Sequence, residues 1–141
     1  MPSTTVSAVI LTAVILGIVL ITTSMARSFV ATQNQPAVYL ELRNLTFMVE
    51  EQAVSVAAAA KQVNGPIRVQ VNMPRALYGD VYTVSFARNT LVSARGDVKF
   101  TTSLPSIQGV VWADSVYKSG GTRVTIIANV TSGLVYVSLS N

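Results

Sequence analysis

The chain has 141 residues, of which 50% are hydrophobic and only 11% are charged, so it has room for one modest domain with a weakly charged surface. It contains no cysteine and no histidine, which excludes disulfides and thiol chemistry and removes the commonest general base and metal ligand. The ten lysine and arginine residues give a formal net charge of +4 at pH 7 but form no run. This pattern argues against nucleic acid as a partner.

The remaining candidates for catalysis are the carboxylates, and their spacing indicates no site. Glu50 and Glu51 are adjacent, so on a helix their side chains diverge by about 100°. No nucleophile–base pair, phosphate-binding loop or metal-ligand spacing is present in the sequence, so we expect no enzymatic activity and no cofactor. The full set is Glu41, Glu50, Glu51, Asp80, Asp97 and Asp114.

An uncharged apolar stretch opens the chain. Residues 5–26 carry no charge, and the first charged residue is Arg27. Within residues 6–21 only Ser7, Thr12 and Gly17 are not aliphatic, and they point in different directions on a helix, so the segment is apolar on all sides. As a helix it spans about 24 Å, close to the thickness of a membrane core. Such a helix must be surrounded by apolar matter, which is either lipid or other helices.

A polar interruption follows at residues 32–36. Pro36 removes an amide donor and disfavours helical dihedrals in the residue before it. We expect a kink or a short break between two helical halves here, and the simple end of one helix is the alternative.

Helical periodicity returns at residues 37–63. Apolar residues at spacings of three and four draw one stripe, which predicts a helix packed on the following domain. Tyr39, Arg43 and Phe47 form a second row, which either is incidental or contacts a neighbouring subunit. Asn64, Gly65 and Pro66 favour a helix end with a left-handed cap. The stripe is Val38, Leu42, Leu45, Val49, Ala53, Val56, Ala60 and Val63.

After Pro66 the period changes to two, which predicts strands. Seven short candidates at roughly ten-residue spacing indicate an antiparallel sandwich. The expected fold class is α+β: a long N-terminal helix in residues 1–63, with a kink or break near Pro36, and a small antiparallel β-sandwich of about seven strands in residues 66–141. Residues 1–26 form the apolar assembly segment, and residues 37–63 form the amphipathic half packed on the β-domain. The strand candidates are residues 67–73, 81–87, 90–94, 98–104, 110–117, 122–130 and 134–140.

Three short motifs have simple explanations as well as functional ones. Arg95, Gly96 and Asp97 spell a cell-adhesion tripeptide, although a hairpin turn explains the Gly-Asp pair better. Asn44 and Asn129 each begin a glycosylation sequon, which is meaningful only if the chain is exported. We expect any glycan to include Asn129, beside a predicted turn, rather than only Asn44 in mid-helix.

The order of these parts resembles archaeal type IV pilins and, less closely, archaellins. The local likeness lies in Ser3-Thr4-Thr5-Val6 followed by Ala8-Val9-Ile10-Leu11-Thr12-Ala13-Val14-Ile15-Leu16-Gly17. Bacterial type IV pilins carry a glutamate at the fifth mature position, whereas this chain has Thr5, so the archaeal family is the better match. In that family a prepilin peptidase removes a short leader before the apolar segment, and a start at Met1 fits a mature subunit.

The resemblance implies a structural subunit of an extracellular type IV pilus, a helical homopolymer that serves surface adhesion. It implies that the subunit sits in the cell membrane before assembly, and that a prepilin peptidase and the pilus assembly machinery are its partners. The alternatives are an archaellum subunit for motility and a single-pass membrane-anchored extracellular binding module. The residues expected at the assembly interface are Val6, Val9, Ile10, Ala13, Val14, Leu16, Gly17, Val19 and Leu20.

Overall fold

The computed structural model describes the backbone of residues 2–141 and the side chains of residues 12–29 and 35–141. One helix, α1, runs over Pro2–Val63 with Pro36 inside it. The helical assignment therefore continues through the polar interruption, so the predicted short break and the alternative of a helix end are both wrong, and a kink near Pro36 stays a prediction. The chain divides into two compact units, Met1–Pro36 and Ala37–Asn141, so Pro36 marks a boundary between units without ending the helix.

The end of α1 has the predicted cap. Asn64 adopts a φ of 52°, in the left-handed region, directly after the last helical residue. A left-handed residue at this point turns the chain away from the helix axis, and Pro66 prevents the helix from resuming. The chain enters the first strand at Ile67.

Eight strands follow the helix and form two sheets of four, which are not closed into a barrel. One sheet has the order β1-β7-β8-β5 and the other has the order β4-β3-β2-β6. All pairs are antiparallel except β5 with β8, which is parallel. The predicted α+β class with an antiparallel-rich pair of sheets is confirmed. The strands are β1 (Ile67–Asn72), β2 (Thr83–Ala87), β3 (Thr90–Arg95), β4 (Val98–Ser103), β5 (Val110–Trp112), β6 (Ser115–Lys118), β7 (Arg123–Thr131) and β8 (Leu134–Ser140).

The extra strand arises because the stretch at residues 110–117, predicted as one strand, is divided between the two sheets. β5 pairs with β8, and after two residues β6 pairs with β2 in the other sheet. Polar contacts fix the crossing: Asp114 accepts the Arg88 N–H at 3.1 Å, and the Ser115 hydroxyl accepts the Leu139 N–H at 2.9 Å. The buried residues Trp112 and Tyr117 are five residues apart, so the inward-facing phase changes at the crossing. The run of apolar residues at 110–113 hides this change in the sequence.

The second half of α1 supplies part of the core, as its stripe predicted. Seven apolar helical residues are buried with the inward faces of both sheets. Leu45 is only partly buried and Val63 is exposed, so the stripe is narrower and shorter than the periodicity indicates. The seven buried residues are Val38, Leu42, Val49, Ala53, Val56, Ala57 and Ala60.

A buried polar pair fixes the helix against the sheet. The Thr46 hydroxyl lies 2.7 Å from the Ser93 hydroxyl of β3 and donates to the Leu42 carbonyl oxygen at 2.6 Å. Both residues are completely buried. Because a buried hydroxyl without a partner is costly, this pair favours one register of α1 on β3 over its neighbours.

The second row on the helix packs in part on its own domain. The rings of Tyr39 and Phe47 each make an edge-to-face contact with Phe100 of β4, at centroid distances of 5.5 and 5.7 Å. The Arg43 guanidinium lies 5.5 Å from the Phe47 ring centroid. Tyr39 and Phe47 nevertheless remain exposed, so a further contact of this row with a neighbouring subunit stays a prediction.

Two buried tyrosines determine how the domain should respond to alkali. Tyr82 donates its hydroxyl to the Pro74 carbonyl oxygen at 2.7 Å, and Tyr117 donates to the Gly121 carbonyl oxygen at 3.2 Å. Burial raises the pKa of both side chains, and the nearby Tyr117 raises the pKa of Tyr82 further. The folded domain therefore holds these protons more tightly than the unfolded chain does.

We expect the free energy of unfolding to fall above about pH 10, where tyrosines of the unfolded chain begin to lose protons that the folded domain keeps. Below that pH both states are protonated and the two tyrosines add no pH dependence. Thermal unfolding of the full chain in detergent, measured from neutral to strongly alkaline pH, tests this. Tyr82→Phe should flatten the alkaline decline relative to the unsubstituted chain. An unchanged alkaline slope in Tyr82→Phe would contradict the assignment.

Candidate functional site

The most unusual surface of the chain is the N-terminal part of α1. Seven of its aliphatic side chains are between 52% and 70% exposed, and they follow one another closely enough to cover every side of the helix. Met25 and Phe29 extend this surface toward the C-terminal end of the helix. In water such a surface is unfavourable, since burying each large side chain is worth about 1.5–3 kcal/mol. The seven residues are Val14, Ile15, Leu16, Ile18, Val19, Leu20 and Ile21.

The predicted assembly residues that the structure describes lie on this surface. Ala13, Val14, Leu16, Val19 and Leu20 are exposed, and a Cβ built on Gly17 meets no atom within 4 Å. The side chains of Val6, Val9 and Ile10 lie outside the described residues. The predicted assembly residues do not include Met25 and Phe29, although Met25 lies within the uncharged run that ends before Arg27.

Two threonine hydroxyls of this segment are satisfied within the helix. Thr22 donates to the Ile18 carbonyl oxygen at 2.9 Å, and Thr23 donates to the Val19 carbonyl oxygen at 2.7 Å. Because their polar groups bond back to the preceding turn, these threonines present mainly methyl groups outward. The segment can therefore enter an apolar environment without leaving these hydroxyls unpaired.

The segment is also long and apolar enough to cross a membrane. The 18 residues Thr12–Phe29 have a mean hydropathy of 1.6, and none of this window is buried. Its length of about 27 Å at helical rise is close to the thickness of a bilayer core. An N-terminal helix of this composition is compatible with membrane association, and a signal sequence would have the same character.

The two glycosylation sequons lie in different environments. Asn44 is exposed on α1, but its sequon ends in Thr46, which is buried and hydrogen-bonded. Asn129 and Thr131 are both exposed on β7, and Thr131 directly precedes the turn to β8. In the folded domain only the second sequon presents both of its polar residues to solvent.

The arginine of the adhesion tripeptide, Arg95, contacts other residues of its own domain. The Arg95 guanidinium lies 2.5 Å from an Asp80 carboxylate oxygen and 5.8 Å from the Tyr78 ring centroid, and its side chain is 17% exposed. Gly96 has a φ of 55° in a two-residue turn between β3 and β4, which is the conformation predicted for a hairpin Gly-Asp. The arginine is therefore engaged within the chain instead of being presented on the turn.

The carboxylates do not assemble into a metal site in the described part of the chain. No group of three histidine, cysteine, aspartate or glutamate side chains is placed to hold an ion among these residues. Asp80 pairs with Arg95, and Asp114 accepts a backbone N–H at the crossing between the sheets. Both contacts are structural.

One surface feature was not predicted from the sequence. Asn129, Tyr136 and Val111 lie side by side across β7, β8 and β5, because Tyr136 is the register partner of both other residues. All three are exposed, and Tyr136 and Val111 form an apolar strip beside the asparagine. Local alternation places each residue on the outward face, but only the parallel pairing of β5 with β8 brings Val111 into the row.

No protein-family model, curated protein or solved structure matches this chain. The apolar surface of α1 and the order of the helix and the β-domain are the features of the chain that bear on its function.

Proposed function

We propose that the chain is a non-enzymatic structural subunit of an extracellular type IV pilus, and that it polymerises through the apolar N-terminal segment of α1. The single observation that carries the proposal is the contrast along this one helix. Its C-terminal half buries an apolar stripe in its own domain, whereas its N-terminal part exposes aliphatic side chains on all sides. An exposed apolar helix on a chain with a complete domain needs a partner outside that domain.

In the filament the N-terminal segments of many copies pack together and the β-domains lie outside. Close packing of aliphatic side chains and small residues drives helix association where no water competes. Before assembly the same segment lies in the cell membrane, where it spans the apolar core. A prepilin peptidase and the assembly machinery act on it there.

Surface adhesion is the role we propose for the filament, since the β-domains form its outer surface. An archaellum for motility would use the same packing, so it is a second role for the same polymer. The alternative from a different functional class is a single-pass membrane-anchored binding module, because lipid can surround an apolar helix as favourably as protein does. In that case the segment stays in the membrane and the β-domain carries the binding site.

Electron microscopy of material sheared from cells that express the chain tests the proposal. We expect thin filaments whose only protein is this chain by mass spectrometry. If the chain instead remains with the membrane fraction and no filament contains it, the anchored-module alternative is correct. Swimming and surface attachment of cells lacking the chain separate motility from adhesion.

Filament integrity is expected to depend little on salt and on pH between about 5 and 9. Residues 2–26 carry no charged side chain, so this segment offers no side-chain charge for salt to screen. Salt screens exposed charge pairs but leaves apolar burial intact or stronger. Purified filaments should therefore release no more subunit at about 2 M sodium chloride than at about 10 mM, as measured by sedimentation. Substantial release at high salt would instead place the assembly energy in charged contacts between outer domains.

A further inference from the structure

On the outward face of the β1-β7-β8-β5 sheet, Asn129 lies beside the apolar strip formed by Tyr136 and Val111. Tyr136 is the register partner of Asn129 in β7 and of Val111 in β5, so the three side chains are direct cross-strand neighbours. Such neighbours have Cβ atoms about 4.5–5.5 Å apart. Tyr136 and Val111 are each 38% exposed, so both residues present part of their surface to solvent.

Both polar residues of this sequon are open to solvent at the end of β7. Asn129 and Thr131 are two residues apart on a strand, so they point to the same face, and both are exposed. Val130 between them points inward and packs on the core, which holds the strand in place. Ser132 and Gly133 both have positive φ, at 54° and 79°, and form a tight turn immediately after the threonine. An enzyme can therefore approach the sequon from the hairpin end.

The sequon at Asn44 lacks this access in the folded domain. Thr46 is fully buried, and its hydroxyl is engaged by the Leu42 carbonyl oxygen and by the Ser93 hydroxyl. Freeing this hydroxyl requires the helix to separate from β3 and the core to open. A transferase that acts on the folded domain cannot recognise Asn44.

We propose that Asn129 is the N-glycosylated residue of the folded domain, and that the first sugar of its glycan covers Tyr136 and Val111. The inference rests on the proposed function only for the export of the domain. The donor is a lipid-phosphate-linked oligosaccharide. The Asn129 Nδ2 forms a bond to the anomeric carbon as the bond from that carbon to the phosphate oxygen breaks. The lipid phosphate leaves with the electron pair, and Nδ2 loses one proton to the transferring enzyme.

The adjacent strip explains why a sugar at this point would stabilise the domain. A pyranose ring has an apolar C–H face, and the tyrosine ring offers a flat apolar surface of similar size. Stacking the two removes exposed apolar area from water at a position where the sugar is already held by its covalent bond. The glycan thus covers the apolar strip next to its attachment point.

Peptide mapping of the full chain from its native cells tests the site. We expect a glycan mass on the peptide with Asn129 and none on the peptide with Asn44. Thr131→Ala should remove the modification, whereas Thr131→Ser, which keeps the hydroxyl, should retain it. A glycan on Asn44, alone or together with Asn129, or an unmodified Asn129 overturns the proposal. The mapping applies equally to filaments and to membrane-held subunit, so a failure here is distinct from a failure to polymerise.

Thermal unfolding in detergent tests the contact with Tyr136. The glycosylated chain should melt roughly 3 °C above its Thr131→Ala form, and this increment should fall below roughly 1 °C when both chains carry Tyr136→Thr. Val116→Thr, at an exposed position of the other sheet, is the matched control and should leave the increment unchanged. An increment that survives Tyr136→Thr would overturn the stacking contact.

Discussion

Val14→Lys is expected to abolish filaments while the β-domain stays folded. Val14 is 53% exposed and lies outside the unit that contains the core, so a lysine there leaves the core of the β-domain unchanged. In a packed helical bundle the same ammonium group would be buried without a partner, which costs several kcal/mol in every subunit. Because each subunit of a polymer repeats the cost, even a moderate penalty per contact should stop elongation. Electron microscopy of sheared cells and fractionation of the retained chain measure the result.

Two matched variants separate a packing defect from a general effect of charge. Val14→Ile keeps the apolar surface and should assemble normally. Ser55→Lys places the same charge on an exposed position of the domain-bound half of α1, and it should also assemble normally. Normal filaments from Val14→Lys would show that the segment does not lie in a dry interface, and the assembly energy would then have to come from contacts between the outer domains.

The domain-bound half of α1 was predictable because helical periodicity records which face is buried. The spacing alone predicts core positions for four residues that are fully buried: Val38, Leu42, Val49 and Ala53. The prediction of a buried position was wrong for Val63, because this residue lies in the last turn, where the helix ends and no strand covers it. Periodicity records the direction of a side chain but not how far the neighbouring element extends.

The sheet arrangement was only partly predictable, for a different physical reason. Hairpins such as β7 with β8 follow from local turn residues, and Ser132 and Gly133 supply the two positive φ angles that their turn needs. The crossing from β5 to β6 depends on contacts distant in sequence, from Asp114 to Arg88 and from Ser115 to Leu139. The strip of Val111 and Tyr136 beside Asn129 depends on the same non-local pairing.

For the apolar segment, the sequence determines the need for an apolar partner but does not distinguish lipid from protein. Valine, isoleucine and leucine pack equally well against either, and association between helices depends on shape over several copies. Ala13 and Gly17 are four residues apart and form one small-residue pair, which permits close approach without requiring it. Assembly itself must therefore be measured.

Removing residues 1–64 is expected to abolish folding of the β-domain, whereas removing residues 1–26 is expected to leave a soluble monomer. The shorter deletion removes the exposed apolar surface of the N-terminal part of α1 except for Phe29, and it keeps the seven buried residues of α1. The longer deletion removes Val38, Leu42, Val49 and four smaller or branched neighbours from the core. Single truncations of buried leucine already cost about 2–5 kcal/mol, and most domains are only about 5–15 kcal/mol stable. The inward faces of both sheets would then be exposed, which promotes aggregation.

Size-exclusion chromatography and circular dichroism of the two deletions decide this prediction. The chain lacking residues 1–26 should elute as a monomer with both helical and β signals, and the chain lacking residues 1–64 should elute as aggregate or fail to accumulate. A third deletion that removes residues 1–36, at the boundary between the two units, should behave like the first because Ala37 begins the unit that contains the core. A soluble, β-rich monomer without residues 1–64 would mean that the two sheets form a sufficient core alone. The buried stripe of α1 would then serve to hold the domain at a fixed position along the helix, since it would no longer be needed for folding.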